Sequence, residues 1–164
     1  MKKFLMIPIL LFAGALFAAP VNYLDQSGAL AGTASTEEGI TTYRDVSGKV
    51  LGSSFKNGSQ ITFRTPDGRV VGTATPSGSS TIYRDSRGQI TGTAASDGKR
   101  ITYRDKNSRI IGFATSSGNK TTYQSAGGKI LGWVNCGESN DLTRDAFIQF
   151  AFASGTNYRS VFFE

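Results

Sequence analysis

From residue 20 onward, short segments rich in Thr, Ile, Val and Tyr alternate with polar clusters about every ten residues. Gln60-Ile61-Thr62-Phe63-Arg64 is one such segment, and Arg69-Val70-Val71-Gly72-Thr73-Ala74 is the next. β-Branched and aromatic residues suit a pleated surface, so each segment predicts a strand of about six residues. The clusters between them close on glycine, at Gly48, Gly58, Gly68, Gly78, Gly88, Gly98, Gly118 and Gly128. In Thr65-Pro66-Asp67-Gly68 and Thr75-Pro76-Ser77-Gly78, Pro presets φ for a type I turn. Gly at the fourth position accepts the left-handed conformation of a G1 bulge. The chain is therefore expected to reverse direction at each cluster. Ser108 stands where the pattern wants Gly, which predicts local strain or a different loop. At Glu37-Glu38-Gly39 the glycine slips by one, which predicts a longer turn.

Superposed on this step is a period of twenty. Tyr23, Tyr43, Phe63, Tyr83, Tyr103 and Tyr123 fall in register, as do Leu30, Val50, Val70, Ile90, Ile110 and Ile130, and Gly32, Gly52, Gly72, Gly92, Gly112 and Gly132. A fixed short period means one supersecondary unit per repeat, stacked on its neighbours. With one bulge per turn, Thr65 pairs with Arg69 and Phe63 lies opposite Val71. One face then carries Phe63, Val71, Tyr83, Thr91, Tyr103, Ile111, Tyr123 and Leu131. The other carries Arg64, Val70, Gly72, Arg84, Ile90, Gly92, Arg104 and Ile110. The tyrosine face is expected to be the core side. On the other face, arginine stems lie across the Val/Ile row with their heads in water. Without the bulge, Tyr shares a face with the Val70 row instead.

The fold class is all-β. A meander of antiparallel hairpins sets equivalent residues two strands apart, whereas a β-solenoid would stack Arg44, Arg64, Arg84 and Arg104 directly. Like charges placed opposite one another repel, which favours the meander, with the solenoid as the alternative. Three segments follow: a leader over 1–19, the hairpin repeats over 20–135, and a non-repeat aromatic segment over 136–164. Within the last, Asn140 or Asp141 is placed to cap a short helix; equally, residues 147–153 and 158–163 suit a hairpin. An open sheet has an uncovered face and free edges, so this segment is expected to serve as a terminal cap or a docking segment.

Met1-Lys2-Lys3 followed by an uncharged apolar run from Phe4 to Phe17 has the layout of a secretory signal peptide, with a cut expected between Ala15 and Ala19. The run is too short to span a bilayer as a helix. Removal of Lys2 and Lys3 leaves 16 basic and 12 acidic residues, a mild positive excess spread along the chain without a nucleic-acid-type basic run. The protein is expected in the periplasm or outside the cell. A lone Cys136 cannot form an internal disulfide, but it offers a cross-link between chains, and a free sheet edge offers a second route to self-association. No histidine is present, which removes Ser-His-Asp and Cys-His nucleophiles and the commonest zinc sites. No catalytic residue, metal site or cofactor is expected. Six-residue strands also fall short of the nine to eleven that a membrane-spanning barrel needs.

The run Tyr83-Arg84-Asp85-Ser86-Arg87-Gly88-Gln89-Ile90 and its counterparts resemble the YD repeats of the Rhs family, in which an aromatic and an Asp precede x-x-G-R and an aliphatic residue. The resemblance covers residues 23–132. Here Arg separates Tyr from Asp, and Thr65 and Ser125 stand in two of the Asp positions. It implies hairpin repeats, but five or six units are too few to wind the hollow shell such proteins build. The spacing is also similar to that of choline-binding cell-wall repeats, which hold ligand between tryptophans; this chain has only Trp133. The reading that follows is an exported, non-catalytic interaction protein, with a carbohydrate- or envelope-binding module as the alternative. Its candidate binding residues are Tyr43, Tyr83, Tyr103, Tyr123, Arg44, Arg64, Arg84 and Arg104, facing a protein or glycan partner.

Overall fold

The computed structural model describes residues 20–135; the leader, Cys136 and the segment 136–164 lie outside the described residues. Twelve strands follow one another: β1 (Val21–Asp25), β2 (Leu30–Glu37), β3 (Ile40–Asp45), β4 (Val50–Asn57), β5 (Gln60–Arg64), β6 (Val70–Ser77), β7 (Ser80–Asp85), β8 (Ile90–Ser96), β9 (Arg100–Asp105), β10 (Ile110–Ser117), β11 (Lys120–Ser125) and β12 (Ile130–Asn135). Each pairs antiparallel with the next, so the expected meander is present. It does not stay open. β12 returns to β1, pairing Asn22 with Asn135 and Asp25 with Gly132, and the sheet closes into a barrel. Right-handed strand twist, increased by a bulge in every repeat, curls a long meander until its ends meet. Closure removes the free edge through which self-association by strand addition was expected.

The turns at the two ends of the barrel differ, and the sequence at each dictates its type. At one end, here the wide-turn end, Asp45 N donates to Lys49 O and Gly48 N donates to Asp45 O, at 3.0 Å each. This is a type I turn closed by a left-handed glycine, and it recurs after Asp25, Thr65, Asp85, Asp105 and Ser125. Asp favours the first position because its carboxylate accepts two backbone N–H groups of the same turn: from Ser47 at 2.8 Å and Lys49 at 3.0 Å for Asp45. Ser108 keeps this turn intact with φ of 64°, so the expected strain is real and the loop is unchanged.

At the opposite, tight-turn end, most hairpins close through two residues. Gly58, Gly78 and Gly118 take positive φ at the first central position, the signature of a type II′ turn. Two expectations fail here. Pro76 is not a turn residue: it lies within β6 opposite Thr81, and the reversal occurs at Gly78-Ser79. Glu37-Glu38-Gly39 is not a longer turn either. Glu37 pairs with Ile40, and both Glu38 (φ 50°) and Gly39 (φ 79°) are left-handed, as a type I′ turn requires. The glycine slips by one because the turn type changes, not the turn length.

The register carries a second irregularity that the sequence reading missed. Phe63 pairs with Gly72, not Val71, while Arg64 pairs with Val70; Val71 is the extra residue of a bulge. The same skip recurs in every repeat, with Tyr23, Tyr43, Tyr83, Tyr103 and Tyr123 opposite Gly32, Gly52, Gly92, Gly112 and Gly132. The glycines assigned to the arginine face therefore lie on the inner face beside the rings. The bulged residues turn inward too: Val71 and Thr91 are buried, and Leu51, Ile111 and Leu131 pack against the core. Val71, Thr91, Ile111 and Leu131 thus do share the tyrosine side.

On its other flank each aromatic faces a small residue or Val134: Tyr43 pairs with Ala34, Phe63 with Ser54, Tyr83 with Ala74, Tyr103 with Ala94, Tyr123 with Ala114 and Tyr23 with Val134. A ring bracketed by glycine and alanine has room to lie along the wall, and the alternation of large and small residues fits side chains into a curved interior. Burial of a Phe-sized side chain contributes about 1.5–3 kcal/mol, so the six rings dominate the stability of the fold.

Candidate functional site

The candidate residues divide between the two faces. Tyr43, Tyr83, Tyr103 and Tyr123 expose 0 % of their surface, as do Tyr23 and Phe63. They form an inner girdle, so they do not present a row to an outside partner. Tyr43 Oη and Ser54 Oγ share a buried hydrogen bond of 2.7 Å.

The arginines are outside, paired across the strand with the aliphatic row: Arg44 with Val50, Arg64 with Val70, Arg84 with Ile90 and Arg104 with Ile110. Their heads are not loose in water. Arg44 donates to Gly48 O at 3.1 Å, and Arg64, Arg84 and Arg104 donate to Gly68, Gly88 and Ser108 O at 2.9 Å. Each guanidinium is thereby fixed on the turn its own hairpin makes, with its remaining donors unused by this bond. Of these partners Ile90 and Ile110 stay accessible and Val50 and Val70 are half-buried; Leu30 and Ile130 of the same row are exposed as well, and Val46 in a neighbouring turn is 65 % exposed.

The sequence reading overlooked the turn cations. Lys49, Arg69, Arg87, Lys106, Arg109 and Lys129 are all exposed in the wide turns. With the four clamped arginines they give this end ten cations against five aspartates: Asp25, Asp45, Asp67, Asp85 and Asp105. The tight-turn end has four cations (Lys56, Lys99, Arg100 and Lys120) against Glu37, Glu38 and Asp97. The positive excess of the barrel is thus concentrated at one end, visible in the sequence only once alternate turns are assigned to opposite ends. The wide-turn acids are also occupied. A hydrogen bond from the Ser27 hydroxyl holds the Asp25 carboxyl below its ordinary 3.8, aided by the Ser27 backbone. Ser47 does the same for Asp45, and Thr65 for Asp67.

A second feature, half-buried, lies on the outer wall of β9–β12. Arg100 stacks over the Phe113 ring at 3.5 Å from its centroid, and Lys120 over Trp133 at 4.2 Å. Trp133 also crosses the closure, pairing with Leu24 and lying against Gly28, where a Cβ would come within 3.3 Å of the indole. Both aromatics are engaged by their own chain, and Trp133 lies across the seam. Among the described residues no group of three His, Cys, Asp or Glu side chains could hold a metal ion. No helix among them is long and apolar enough to cross a membrane. On β1–β6 the outward band carries Asn22, Thr33, Thr42, Ser53, Thr62 and Thr73 on successive strands, whereas β7, β10 and β12 turn Ile82, Phe113 and Trp133 outward.

No protein-family model matches this chain, and no curated protein matches it. Among solved structures, the chain is similar to a protein from Arabidopsis thaliana determined by X-ray crystallography, with 12 % identity, a TM-score of 0.52, and coverage of 83 % of this chain and 90 % of that one. At that identity the likeness is one of fold: a closed antiparallel barrel.

Proposed function

We propose that this is an exported, non-catalytic binding protein that meets its partner through the wide-turn end of the barrel. The observation that carries the reading is the concentration there of ten cations, four of them fixed by bonds to turn carbonyls, around an accessible aliphatic row. The five acids at that end are drawn into their own turns, leaving the cations to face outward. Such a surface selects a polyanion, and an envelope glycan or an acidic protein face both supply one. Arg44, Arg64, Arg84 and Arg104 remain the binding candidates of the sequence reading, joined by the six turn cations; the tyrosines act as core.

The test is retention of residues 20–164 on immobilised polygalacturonate and on polyglutamate, with dextran as the uncharged control. Retention on at least one polyanion that weakens with salt is expected. It should be lost when Lys49, Arg69, Arg87, Lys106, Arg109 and Lys129 are all changed to Gln, and kept when Lys56, Lys99 and Lys120 are. Equal loss in both variants, or retention by neither matrix, overturns the assignment. The export half of the reading is tested by fractionating the native host; recovery only in cytoplasm refutes it.

A further inference from the structure

The rim of the wide-turn end is not charged evenly around its circumference. One outward position recurs every twenty residues, held by Leu24, Arg44, Arg64, Arg84, Arg104 and Gln124. Each lies opposite an aliphatic of the next strand: Leu30, Val50, Val70, Ile90, Ile110 and Ile130. Four successive units, from β3 to β10, therefore combine a cation with an aliphatic side chain, while the two that flank the seam carry the aliphatic without a cation. In the four charged units the guanidinium bonds to a carbonyl of its own turn, which fixes it and leaves it donors for a further acceptor. The aspartates next to three of these arginines do not compete for those donors from outside. Asp45, Asp85 and Asp105 lie opposite Gly32, Gly72 and Gly92 on the inner face.

The registers set the spacing of the units. Val50 is opposite Arg44 and Ser53 is opposite Arg64, so successive arginines are two strands apart and three residues out of level. The same offset recurs where Thr73 meets Arg84 and Thr93 meets Arg104. Two strand spacings of about 4.8 Å and three residues of about 3.3 Å place neighbouring units roughly 14 Å apart. Each unit takes two of the twelve strands, so the rim turns through a sixth of a circle, about 60°, from one to the next.

We propose that this arc selects an extended acidic peptide segment carrying apolar side chains; the inference rests on the polyanion reading above and narrows it. Two features choose a peptide over a glycan. Covering the exposed Ile90 and Ile110 is favourable under an apolar group, which a peptide side chain supplies and a carboxylated sugar supplies poorly. The curvature is the second. A 1,4-linked polyuronate is a stiff, extended chain, whereas a peptide has two soft dihedrals at every residue with which to follow the rim. At about 3.3–3.6 Å per residue, roughly four extended residues cover one unit and about sixteen cover the arc. One acid and one apolar residue in each four is the matching pattern. The closed sheet offers no free edge for strand addition, so recognition is through side chains.

The experiment measures binding of residues 20–164 to two sixteen-residue fluorescein-labelled peptides of equal charge, by anisotropy at low salt. One is four copies of Glu-Leu-Glu-Ser and the other four copies of Glu-Ser-Glu-Ser. The leucine peptide is expected to bind at least tenfold tighter. The double change Ile90→Thr and Ile110→Thr should remove most of that preference and leave affinity for the serine peptide within about twofold. Leu30→Thr with Ile130→Thr, at the uncharged seam units, should keep the preference. Equal affinity for the two peptides overturns the inference and leaves the polyanion reading standing; binding of neither overturns both. Polygalacturonate that competes better than the leucine peptide at matched charge overturns the choice of a peptide. Equal loss of preference in the two double variants overturns the placement on the arc. The comparison of the two peptides on the unmodified chain stands whether or not the variants fold.

Discussion

Replacing Thr91 with Val should stabilise the barrel. Thr91 is the bulged residue between Ile90 and Gly92 and is turned into the core. Its Oγ1 is buried and has no hydrogen-bond partner among the described residues. The same bulge position holds Leu51, Val71, Ile111 and Leu131 in other repeats, so the site is built for an aliphatic side chain. Val has the shape of Thr with a methyl in place of the hydroxyl, so packing and β-branching are kept while the unsatisfied group goes. A buried hydroxyl left unpaired costs about 1–3 kcal/mol. A gain of about 1–2 kcal/mol is therefore expected, which for a domain of this size raises Tm by roughly 4–8 °C. The reciprocal Val71→Thr should lose a similar amount. Both are read by urea unfolding at constant m-value, followed by tryptophan fluorescence at Trp133. If Thr91→Val leaves the midpoint unchanged or lowers it, the hydroxyl is not an uncompensated cost and the argument fails.

Other outcomes follow from the turns and the core. Ser108→Gly should stabilise by about 0.5–1 kcal/mol, because it relieves a left-handed non-glycine at the cost of extra freedom when unfolded; thermal melts showing a loss refute this. Gly88→Ala should cost about 1–2 kcal/mol by backbone strain alone, since nothing lies within 4 Å of the added Cβ, and a neutral result in the same assay refutes it. Tyr43→Phe should cost about 1–3 kcal/mol by stranding Ser54 Oγ in the core, while the double change with Ser54→Ala should recover part of that loss. The carboxyls of Asp25, Asp45, Asp67 and Asp97 are held below 3.8 in the fold, so they add stability above that pH and lose it as pH falls through their lowered values. Tm should accordingly drop as pH is taken below about 4, and the drop should shrink in Asp45→Asn; an equal slope in both proteins excludes Asp45 as a contributor.

Much of this was legible in the repeat. The alternation Ile61-Thr62-Phe63-Arg64 places rings on one side and arginines on the other, and the structure keeps them so. The second bulge was not legible. In Val70-Val71-Gly72 two adjacent apolar residues both suit burial, and nothing local says which one the ladder will skip. Closure was not legible either, because it pairs β1 with β12, and no short-range pattern records that partnership. The turn cations were readable as charges but not as a surface. Lys49 and Lys56 look alike along the chain and lie at opposite ends only because alternate turns do.

The seam between β1 and β12 also sets a clock. Eleven of the twelve ladders join neighbours in sequence, whereas Asn22 and Asn135 are more than a hundred residues apart. Local hairpins form in about 1–10 μs, so most of the wall can assemble from any starting point. The last ladder must await the arrival of the final strand and bear the entropy of joining both ends of the chain. Until then β1 and β12 each keep one open edge on a nearly complete sheet, and a second nascent chain is as suitable a neighbour for either as its own far end. Delivery of chains one at a time, slowly enough that each closes before it meets another, is thus a condition this topology places on whatever pathway makes it.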